Sequence, residues 1–260
     1  MDIEYFDLPD LGVLSAAGPD AARFLQGQLS NDLLKLACGD SQLSALHTVQ
    51  GRVQALLRVV RDADFSYLLV MPQVLIGDVM TTLQKRVFRD RLKLADDTAT
   101  WQVQGATSRP PNKLRADVDG SGRCLVLDKM PQAPSRSREQ WRALDVAAGL
   151  PQVYAATQGQ FVAQMLNLDV LGGIAFDKGC YIGQEIIARA HYRGRVKRRM
   201  QRFAFDLQSP PAAGASVALP SGETAIVVDV CGAGPTYEIL AVTAAPSVDA
   251  LPLPYELPLD

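Results

Sequence analysis

The eight residues from 178 to 185, Lys-Gly-Cys-Tyr-Ile-Gly-Gln-Glu, constrain the fold of this chain more than any other stretch. They place a cation, a thiol, a phenol, an amide and a carboxylate around two glycines, Gly179 and Gly183. Glycine accepts backbone angles and close approaches that other residues do not. After the second glycine, apolar spacing predicts a short helix over 184–191. Glu185 would lie in its first turn, where the exposed amides favour a carboxylate.

Cys180 has two interpretations from its position alone. A nearby cation or a helix N-terminus lowers the pKa of a thiol and makes it reactive, and Lys178 and the predicted helix flank this cysteine. Many free cysteines are small, buried packing residues, however, and the spacing alone favours an inert residue in a tight turn. A single cysteine cannot hold an iron–sulfur cluster by itself, because a cluster needs several ligands.

Three further stretches, read together with the octapeptide, resemble a known family. They are Phe24-Leu-Gln-Gly-Gln-Leu-Ser-Asn-Asp32, Gln164-Met-Leu-Asn-Leu-Asp169 and Leu171-Gly-Gly-Ile174. The set resembles the YgfZ-type folate-binding proteins, which are relatives of the glycine-cleavage T-protein, an aminomethyltransferase, and are associated with iron–sulfur cluster assembly or repair. Without the family, the first stretch is a polar turn that caps a helix start at Ser30 or Asn31. One turn can serve both purposes.

The resemblance changes the interpretation of the octapeptide. Because the cysteine is a hallmark of the family, Cys180 becomes the key side chain, with Lys178 as its companion at a catalytic position. Its chemistry stays open between a thiolate nucleophile, a transient metal or cluster contact and a redox relay. Glu185 matches a glutamate that binds folate in T-proteins, where a carboxylate accepts the two parallel donors of a pterin ring. The simpler alternative for Glu185 is a helix-start carboxylate.

Other residues are implied in folate binding by the same resemblance. Trp141 matches a folate-contacting tryptophan whose indole offers a stacking surface, although a lone tryptophan on a helix is more often a core residue. Tyr181 and Gln184 would line the same pocket, and Tyr181 is equally consistent with a core position. Another aromatic that family members use near the first strand is replaced here by Leu11 or Gly12.

Charge is distributed unevenly along a chain whose net charge is only −2. Residues 189–202 carry seven of the 26 Lys and Arg residues and no acidic residue, whereas residues 203–260 carry no Lys or Arg. This shift predicts a boundary near residue 202. The basic run, which includes Arg189, would attract the glutamate tail of a folate, an acidic partner or RNA, or would be a solvated connection between domains. Because it lacks the interleaved aromatics that stack on bases, we expect no direct nucleic-acid binding.

Cysteine spacing and hydropathy bear on the compartment and on metals. The four cysteines, at 38, 124, 180 and 231, form no Cys-x-x-Cys pair, which disfavours a local zinc or cluster site and a disulfide framework. The two histidines, His47 and His191, show no metal-ligand spacing. The first residues lack the basic and apolar regions of a signal peptide, and the best apolar run, 65–76, is too short to span a bilayer. The simplest interpretation is a cytoplasmic, reduced protein with no permanently bound metal and no membrane contact.

Periodicity and turn residues predict an α+β protein. An antiparallel sheet with helices on one face follows from strand patterns at 11–16, 43–47, 53–60, 67–71, 92–94, 101–103 and 124–127, and from helix patterns at 20–25, 74–88, 139–148 and 184–191. Short strands at 201–207, 216–219, 223–230 and 237–242, bounded by Pro and Gly, suggest a small β-barrel or sandwich.

The resemblance implies that these elements form a three-part ring. A folate-binding core would consist of 1–45 and 138–200. A shortened ferredoxin-like α+β domain would be inserted at 46–137, and a C-terminal β-barrel at 201–260 would close the ring. Tetrahydrofolate or a derivative would bind in the central hole.

One absence separates this chain from its transferase relatives. T-proteins carry two aspartates in a Gly-Gly-x-x-Asp-Asp strand, whereas the matching segment here ends in Gln54-Ala55, neither of which accepts a proton as a carboxylate does. We therefore expect a tetrahydrofolate-binding accessory protein for iron–sulfur enzymes, which affects tRNA modification indirectly and contacts client or assembly proteins. The alternatives are a folate-dependent aminomethyl or one-carbon transferase and a partner-docking module without a small ligand.

Overall fold

In the computed structural model, which describes residues 2–194, 196–232 and 235–258, the strands form three antiparallel sheets. The elements in chain order are β1 (Tyr5–Asp7), β2 (Leu11–Ala17), α1 (Ala21–Gln26), β3 (Ser41–His47), β4 (Val53–Ala63), β5 (Ser66–Pro72), α2 (Ile76–Gln84), β6 (Lys93–Asp96), β7 (Gln102–Ala106), β8 (Leu114–Asp117), β9 (Cys124–Asp128), α3 (Arg138–Ala147), α4 (Gln184–Tyr192), β10 (Arg198–Asp206), β11 (Ser216–Ala218), β12 (Thr224–Cys231) and β13 (Thr236–Ala244).

The central sheet has the strand order β3-β4-β5-β2-β6 and is buried on both faces. In β5, Tyr67, Leu69 and Met71 pack with the apolar residues of α1 and α2. The alternate residues, Leu68 and Val70, pack with residues of the second sheet and α3. Successive side chains of a strand point to opposite faces, so a strand between two layers is apolar throughout. The expected helices on one face are α1 and α2, whereas the second sheet and α3 cover the other face.

The second sheet has the order β1-β7-β9-β8, and the third has the order β10-β13-β12-β11. The third sheet has its own small core around Phe203 and Ile239, while Met200 and Leu240 join the main core. Residues before and after 45 share both the central and the second sheet, because β1, β2 and β3 pair with β7, β5 and β4. The three-part division of the chain stays a prediction.

Several elements differ from the sequence-based expectation. The helix expected at 74–88 is a 3₁₀ turn over Gln73–Leu75 followed by α2, which ends at Gln84. The chain then continues in tighter bonds, with the Val87 amide donating to the Gln84 carbonyl at 3.2 Å. The short edge strands β1 and β8 were not predicted, since three or four residues give too little periodicity.

The remaining helices and the apolar content agree with expectation. α3 and α4 start and end within one residue of their predicted bounds. No helix in the described ranges combines the length and apolarity needed to cross a lipid bilayer.

Candidate functional site

A cleft lies where the central sheet, the second sheet, α3 and the third sheet meet. It encloses about 750 Å³ of empty space, part of it open to solvent. Its walls combine apolar and charged side chains, which is typical of a site for a flat organic ligand with a few polar groups. The lining residues are Leu8, Asp10, Leu11, Leu43, Leu56, Leu57, Arg58, Val70, Val118, Leu125, Arg138, Trp141, Arg142, Asp145, Leu150, Pro151, Gln152, Tyr154 and Asp229.

α3 supplies the most polar wall of this cleft. Arg138, Trp141, Arg142 and Asp145 stand at positions i, i+3, i+4 and i+7, and this spacing places them on one helix face. Ser137 fixes the helix start with a capping box, in which its hydroxyl accepts from the Gln140 amide and the Gln140 side chain accepts from the Ser137 amide. The sequence contained this signal, a charged and aromatic stripe at helical spacing, but only Trp141 was selected from it.

Two of the cations on α3 are paired with carboxylates from distant parts of the chain. Arg138 binds Asp10, and the Arg142 Nε lies 3.2 Å from Asp229. The Tyr154 hydroxyl donates to the Asp229 carboxylate at 2.7 Å. Burial raises the pKa of both Asp229 and Tyr154. These bonds tie α3 to the first loop and to β12.

Asp145 and Arg58 face the same cleft. The Asp145 Oδ1 accepts a hydrogen bond of 2.9 Å from Arg123, yet burial raises the pKa of this carboxyl to about 6. Burial also lowers the pKa of Arg58 to about 10. Each charge partly offsets the desolvation of the other, and this places the two groups in one electrostatic environment.

Trp141 lines the cleft as a fixed part of its wall. Its side chain is only 5% exposed. The Arg123 guanidinium carbon lies 4.9 Å from the indole centroid, and the Phe6 ring meets it edge-on at 5.1 Å. Gly105 is so close that a Cβ there would lie 2.4 Å from the indole Cε3. Little of the ring is left to stack on a ligand.

The octapeptide forms a turn that is bound to the polar turn at 26–32. The Lys178 ammonium donates to the carbonyl oxygens of Gln26, Leu29 and Asn31 at 2.7, 2.6 and 2.9 Å. Its Nζ also lies 5.0 Å from the Tyr181 ring centroid. Burial lowers the pKa of Lys178 to about 8. An ammonium has three N–H donors, and all three donors of Lys178 bind backbone carbonyls. These are the contacts of a positioning residue.

Ser30 and Asn31 hold the same two turns together. The Ser30 hydroxyl donates to the Gly173 carbonyl at 2.6 Å and accepts from the Ala45 amide at 2.9 Å. The Asn31 amide group donates to the carbonyls of Leu43 and Gly172. The predicted helix cap at Ser30 or Asn31 is therefore wrong. Asp32 caps the 3₁₀ turn over Leu33–Lys35 instead, by accepting from the Leu34 amide.

Gly183 begins α4 in a left-handed conformation with φ of 82°. A Cβ at this position would lie 2.6 Å from the Thr48 carbonyl oxygen and 3.0 Å from the Gly51 Cα. The turn between β3 and β4 therefore packs directly on the octapeptide. His47, at the end of β3, is fully buried beside this contact, and burial lowers its pKa to about 3. Neither of its ring nitrogens has a hydrogen-bond partner within the described part of the chain.

The turn leaves the Cys180 thiol exposed. Glu185 and Arg189 are also exposed, on α4, while Gln184 is half-buried and its side chain accepts from the Tyr181 amide at 3.3 Å. Tyr181 is buried, and burial raises its pKa to about 12. Further along α4, the His191 ring stacks on Phe176 at 3.7 Å, so the basic run carries an aromatic neighbour from outside its own sequence.

The predicted site residues thus fall into two groups. Trp141 lines the cleft together with Leu11, which is one of the two residues, Leu11 or Gly12, that the resemblance matches to an aromatic of the family. Neither Cys180 nor Glu185 is among the lining residues, nor are Lys178, Tyr181, Gln184 and Arg189. Gln54 and Ala55 lie in β4, partly and fully buried, so no carboxylate occupies the positions of the T-protein aspartates.

The chain is similar in sequence to several proteins from bacteria. It is 32% identical over 247 residues to "tRNA-modifying protein YgfZ" of Photorhabdus laumondii, covering 82% of this chain and 74% of the relative. It is 29% identical over 249 residues to the protein of that name from Escherichia coli, covering 83% and 76%. An uncharacterized protein of Haemophilus influenzae is 30% identical over 221 residues, covering 82% and 78%. No protein-family model matches the chain.

The fold has a relative among solved structures. The glycine cleavage system aminomethyltransferase T from Bartonella henselae superposes with a TM-score of 0.68, covering 93% of this chain and 78% of that protein. The sequence identity is 16%, so this likeness establishes a shared fold and no shared activity.

Proposed function

This chain belongs to the family of the tRNA-modifying proteins YgfZ, and we propose that it is a tetrahydrofolate-binding accessory protein that supports iron–sulfur enzymes in the cytoplasm. Through clients that modify tRNA it would affect tRNA modification indirectly. The observation that carries the proposal is the cleft beside α3, in a fold shared with an aminomethyltransferase.

The lining of the cleft offers the chemical groups that this ligand needs. Apolar side chains such as Leu11, Leu57 and Val70 offer walls for a flat ring, and Asp145 and Arg58 offer an acceptor and donors. Ligand sites commonly combine such walls with a small number of polar groups. Bound there, tetrahydrofolate would supply a one-carbon carrier or a sensing ligand, while the protein residues bind and orient it.

We assign the exposed turn and α4 to a protein partner. Cys180, Glu185 and Arg189 are accessible there, outside the lining of the cleft. Lys178 fixes the turn, so the thiol is presented on a rigid surface. A client or assembly protein of an iron–sulfur enzyme is the proposed partner. The folate-binding roles of Tyr181, Gln184, Glu185 and Arg189 stay predictions from the resemblance. These four residues are not among those that line the cleft.

Isothermal titration calorimetry tests the ligand. Tetrahydrofolate should give a saturable heat with the wild-type chain at a stoichiometry of about one, because the cleft beside α3 is the one proposed site. A titration without saturable heat would contradict folate binding and would favour the alternative of a partner-docking module without a small ligand.

The role of the thiol needs a measurement in cells. Strains whose only copy carries Cys180→Ala should lose activity of iron–sulfur enzymes, including those that modify tRNA. Cys38→Ala is a matched control, because Cys38 is also an exposed free cysteine but lies outside the octapeptide. Equal enzyme activities in the two strains would contradict the role of Cys180.

An aminomethyltransferase is the second candidate, and the shared fold favours it. The uncharged Gln54 and Ala55 argue against it, because neither side chain takes up a proton as an aspartate does. Formation of methylene-tetrahydrofolate from an aminomethyl donor, unaffected by Cys180→Ser, would favour the transferase.

A further inference from the structure

Two charged groups in the cleft have unused hydrogen-bonding capacity. The Asp145 side chain accepts one hydrogen bond within the described ranges, through Oδ1 from Arg123 at 2.9 Å, and its Oδ2 accepts none there. Arg58 donates one, through a terminal nitrogen to the Asp117 carbonyl at 3.1 Å, and its other nitrogens have none there. An ionised carboxylate has about four acceptor sites and a guanidinium has five N–H donors.

The other charged side chains of the cleft form ion pairs with each other within its lining. Arg138 is paired with Asp10, and Arg142 with Asp229 and Tyr154. A charge-assisted hydrogen bond to a ligand is strong where water is excluded. Within the described ranges, Asp145 and Arg58 are the charged lining residues that form no ion pair with another lining residue, so their remaining acceptors and donors can serve a ligand.

The two groups stand against apolar walls. Leu11 and Val70 line the same cleft, and Trp141 precedes Asp145 by one helical turn. A flat ring held by these walls would present its edge, and not its face, to polar groups. An edge that suits both groups has adjacent N–H donors for the carboxylate and a carbonyl acceptor for the guanidinium.

We infer that Asp145 and Arg58 determine specificity for a 2-amino-4-oxo heterocycle such as the pterin of tetrahydrofolate. Asp145 accepts from the 2-amino group and the neighbouring ring N–H, and Arg58 donates to the 4-oxo group. The inference rests on the proposed function, since it names the residues that read the ligand of that cleft. It gives Asp145 the role that the family resemblance gives to Glu185, which is exposed on α4 and does not line the cleft.

The test compares two pteridines by calorimetry on the full chain at pH 7.5. The first is 2-amino-4-oxopteridine, and the second is 2,4-dioxopteridine, which has an acceptor where the first has the amino donor. The wild type should bind the amino compound at least about 10-fold more tightly, because an unpaired buried polar group is costly. Asp145→Asn should weaken the amino compound about 10- to 100-fold and remove the preference.

Three other variants isolate the pair. Arg58→Gln should weaken both compounds, because both carry the 4-oxo group. Asp119→Asn is the matched control for Asp145→Asn, since Asp119 also binds Arg123, at 2.6 Å, but does not line the cleft. It should keep both the affinity and the preference. Glu185→Gln should keep them as well.

The outcomes separate this inference from the proposed function. Absence of saturable tetrahydrofolate binding by the wild type would overturn the proposed function and the inference with it. Two outcomes would overturn the inference alone, provided that the wild type binds tetrahydrofolate tightly. One is an unchanged preference between the two pteridines in Asp145→Asn. The other is a loss of that preference in Glu185→Gln instead. If circular dichroism shows that Asp145→Asn does not fold, the wild type and Arg58→Gln decide. Equal affinity of the wild type for the two pteridines overturns the inference. A preference of about 10-fold in the wild type, together with weaker binding of both compounds by Arg58→Gln, supports it.

Discussion

The Lys178 ammonium nitrogen lies 2.6 Å from the Leu29 carbonyl oxygen, and this bond joins the two sequence stretches that most resemble the family. The residues are separated by 149 positions, and the Gln26 and Asn31 carbonyls complete the coordination of the ammonium. This buried cation consequently anchors the turn that carries the thiol, two residues later, to the backbone of another turn. Lys178 thus acts on Cys180 through position.

Replacing Lys178 with Met should destabilise the protein. The substitution keeps an unbranched side chain of similar length and leaves three carbonyls without their donor. This loss should lower the free energy of unfolding by about 2–4 kcal/mol in total. Urea unfolding measures the loss. Lys35→Met is the control, because Lys35 forms an exposed pair with Asp177 at 2.7 Å and its loss should cost less than about 1 kcal/mol. Equal losses in the two variants would refute the structural role of Lys178.

Gly183→Ala should be more damaging than Gly179→Ala. Residue 183 has φ of 82°, and a Cβ there would meet the Thr48 carbonyl at 2.6 Å, whereas a Cβ at 179 meets nothing within 4 Å. Left-handed strain and the backbone clash together should cost about 2–4 kcal/mol. Thermal unfolding of both variants would show it. A melting temperature for Gly183→Ala at the level of Gly179→Ala would argue against the packing of the two turns.

Gly105→Ala should displace Trp141. The added methyl would lie 2.4 Å from the indole Cε3, and overpacking of this kind costs about 1–3 kcal/mol. Because the indole is a wall of the cleft, tetrahydrofolate binding should weaken together with the stability. Gly120→Ala, where a Cβ meets nothing within 4 Å, is the control. Tryptophan fluorescence and urea unfolding test the pair, and identical spectra for both variants would contradict the contact.

The Asp145 carboxyl should make stability depend on pH between about 4 and 6. Its pKa is raised by burial from the ordinary value of 3.8 to about 6, so the folded state keeps a proton that the unfolded state has lost in that window. This group therefore reduces stability as the pH rises from 4 to 6 and contributes no further change above 6. Arg123 and Arg58 oppose the shift, and Asp229 adds to it.

Urea unfolding at pH 4.5 and pH 7 in the wild type and Asp145→Asn measures this contribution. The asparagine variant cannot titrate, so its stability should decrease less, or increase more, between the two pH values. Parallel pH profiles for the two proteins would show that Asp145 does not titrate in this range.

Three of the four cysteines should differ in their reaction with iodoacetamide in a way that their burial predicts. Cys180 and Cys38 are exposed and should be alkylated in the folded protein. Cys124 is buried, and burial raises its pKa to about 11, so it should react only after unfolding. Mass spectrometry of digests taken before and after addition of guanidinium would show the order. Protection of Cys180 in the folded state would contradict its accessibility to a partner.

Much of the secondary structure could be predicted from the sequence because its causes are local. β5 is apolar from Tyr67 to its last residue, Pro72, and α3 begins after the capping Ser137. α4 begins after Gly183, the residue whose backbone freedom the turn requires. The family resemblance likewise rests on contiguous residues. Each of these signals lies within a few positions of the element that it specifies.

The lining of the cleft could not be predicted in this way. The resemblance implies that Cys180, Glu185 and Trp141 surround one cavity, and of the three only Trp141 lines the described cleft. Asp145 and Arg58 meet there because a helix and a central strand pack together across the interior. The sequence also gave the basic run no aromatic partner, but Phe176 stacks on His191 in the folded protein.

The sequence by itself determined the local elements, the family and the turn that presents the thiol. The tertiary structure alone decided that Lys178 binds backbone carbonyls between Gln26 and Asn31. It also decided which charged side chains of the cleft have hydrogen-bond donors or acceptors left for a ligand. The physical reason is that strand and helix patterns depend on neighbouring residues. Burial, pKa shifts and hydrogen-bond partners depend on segments brought together from distant parts of the chain, and no local pattern records which segments those are.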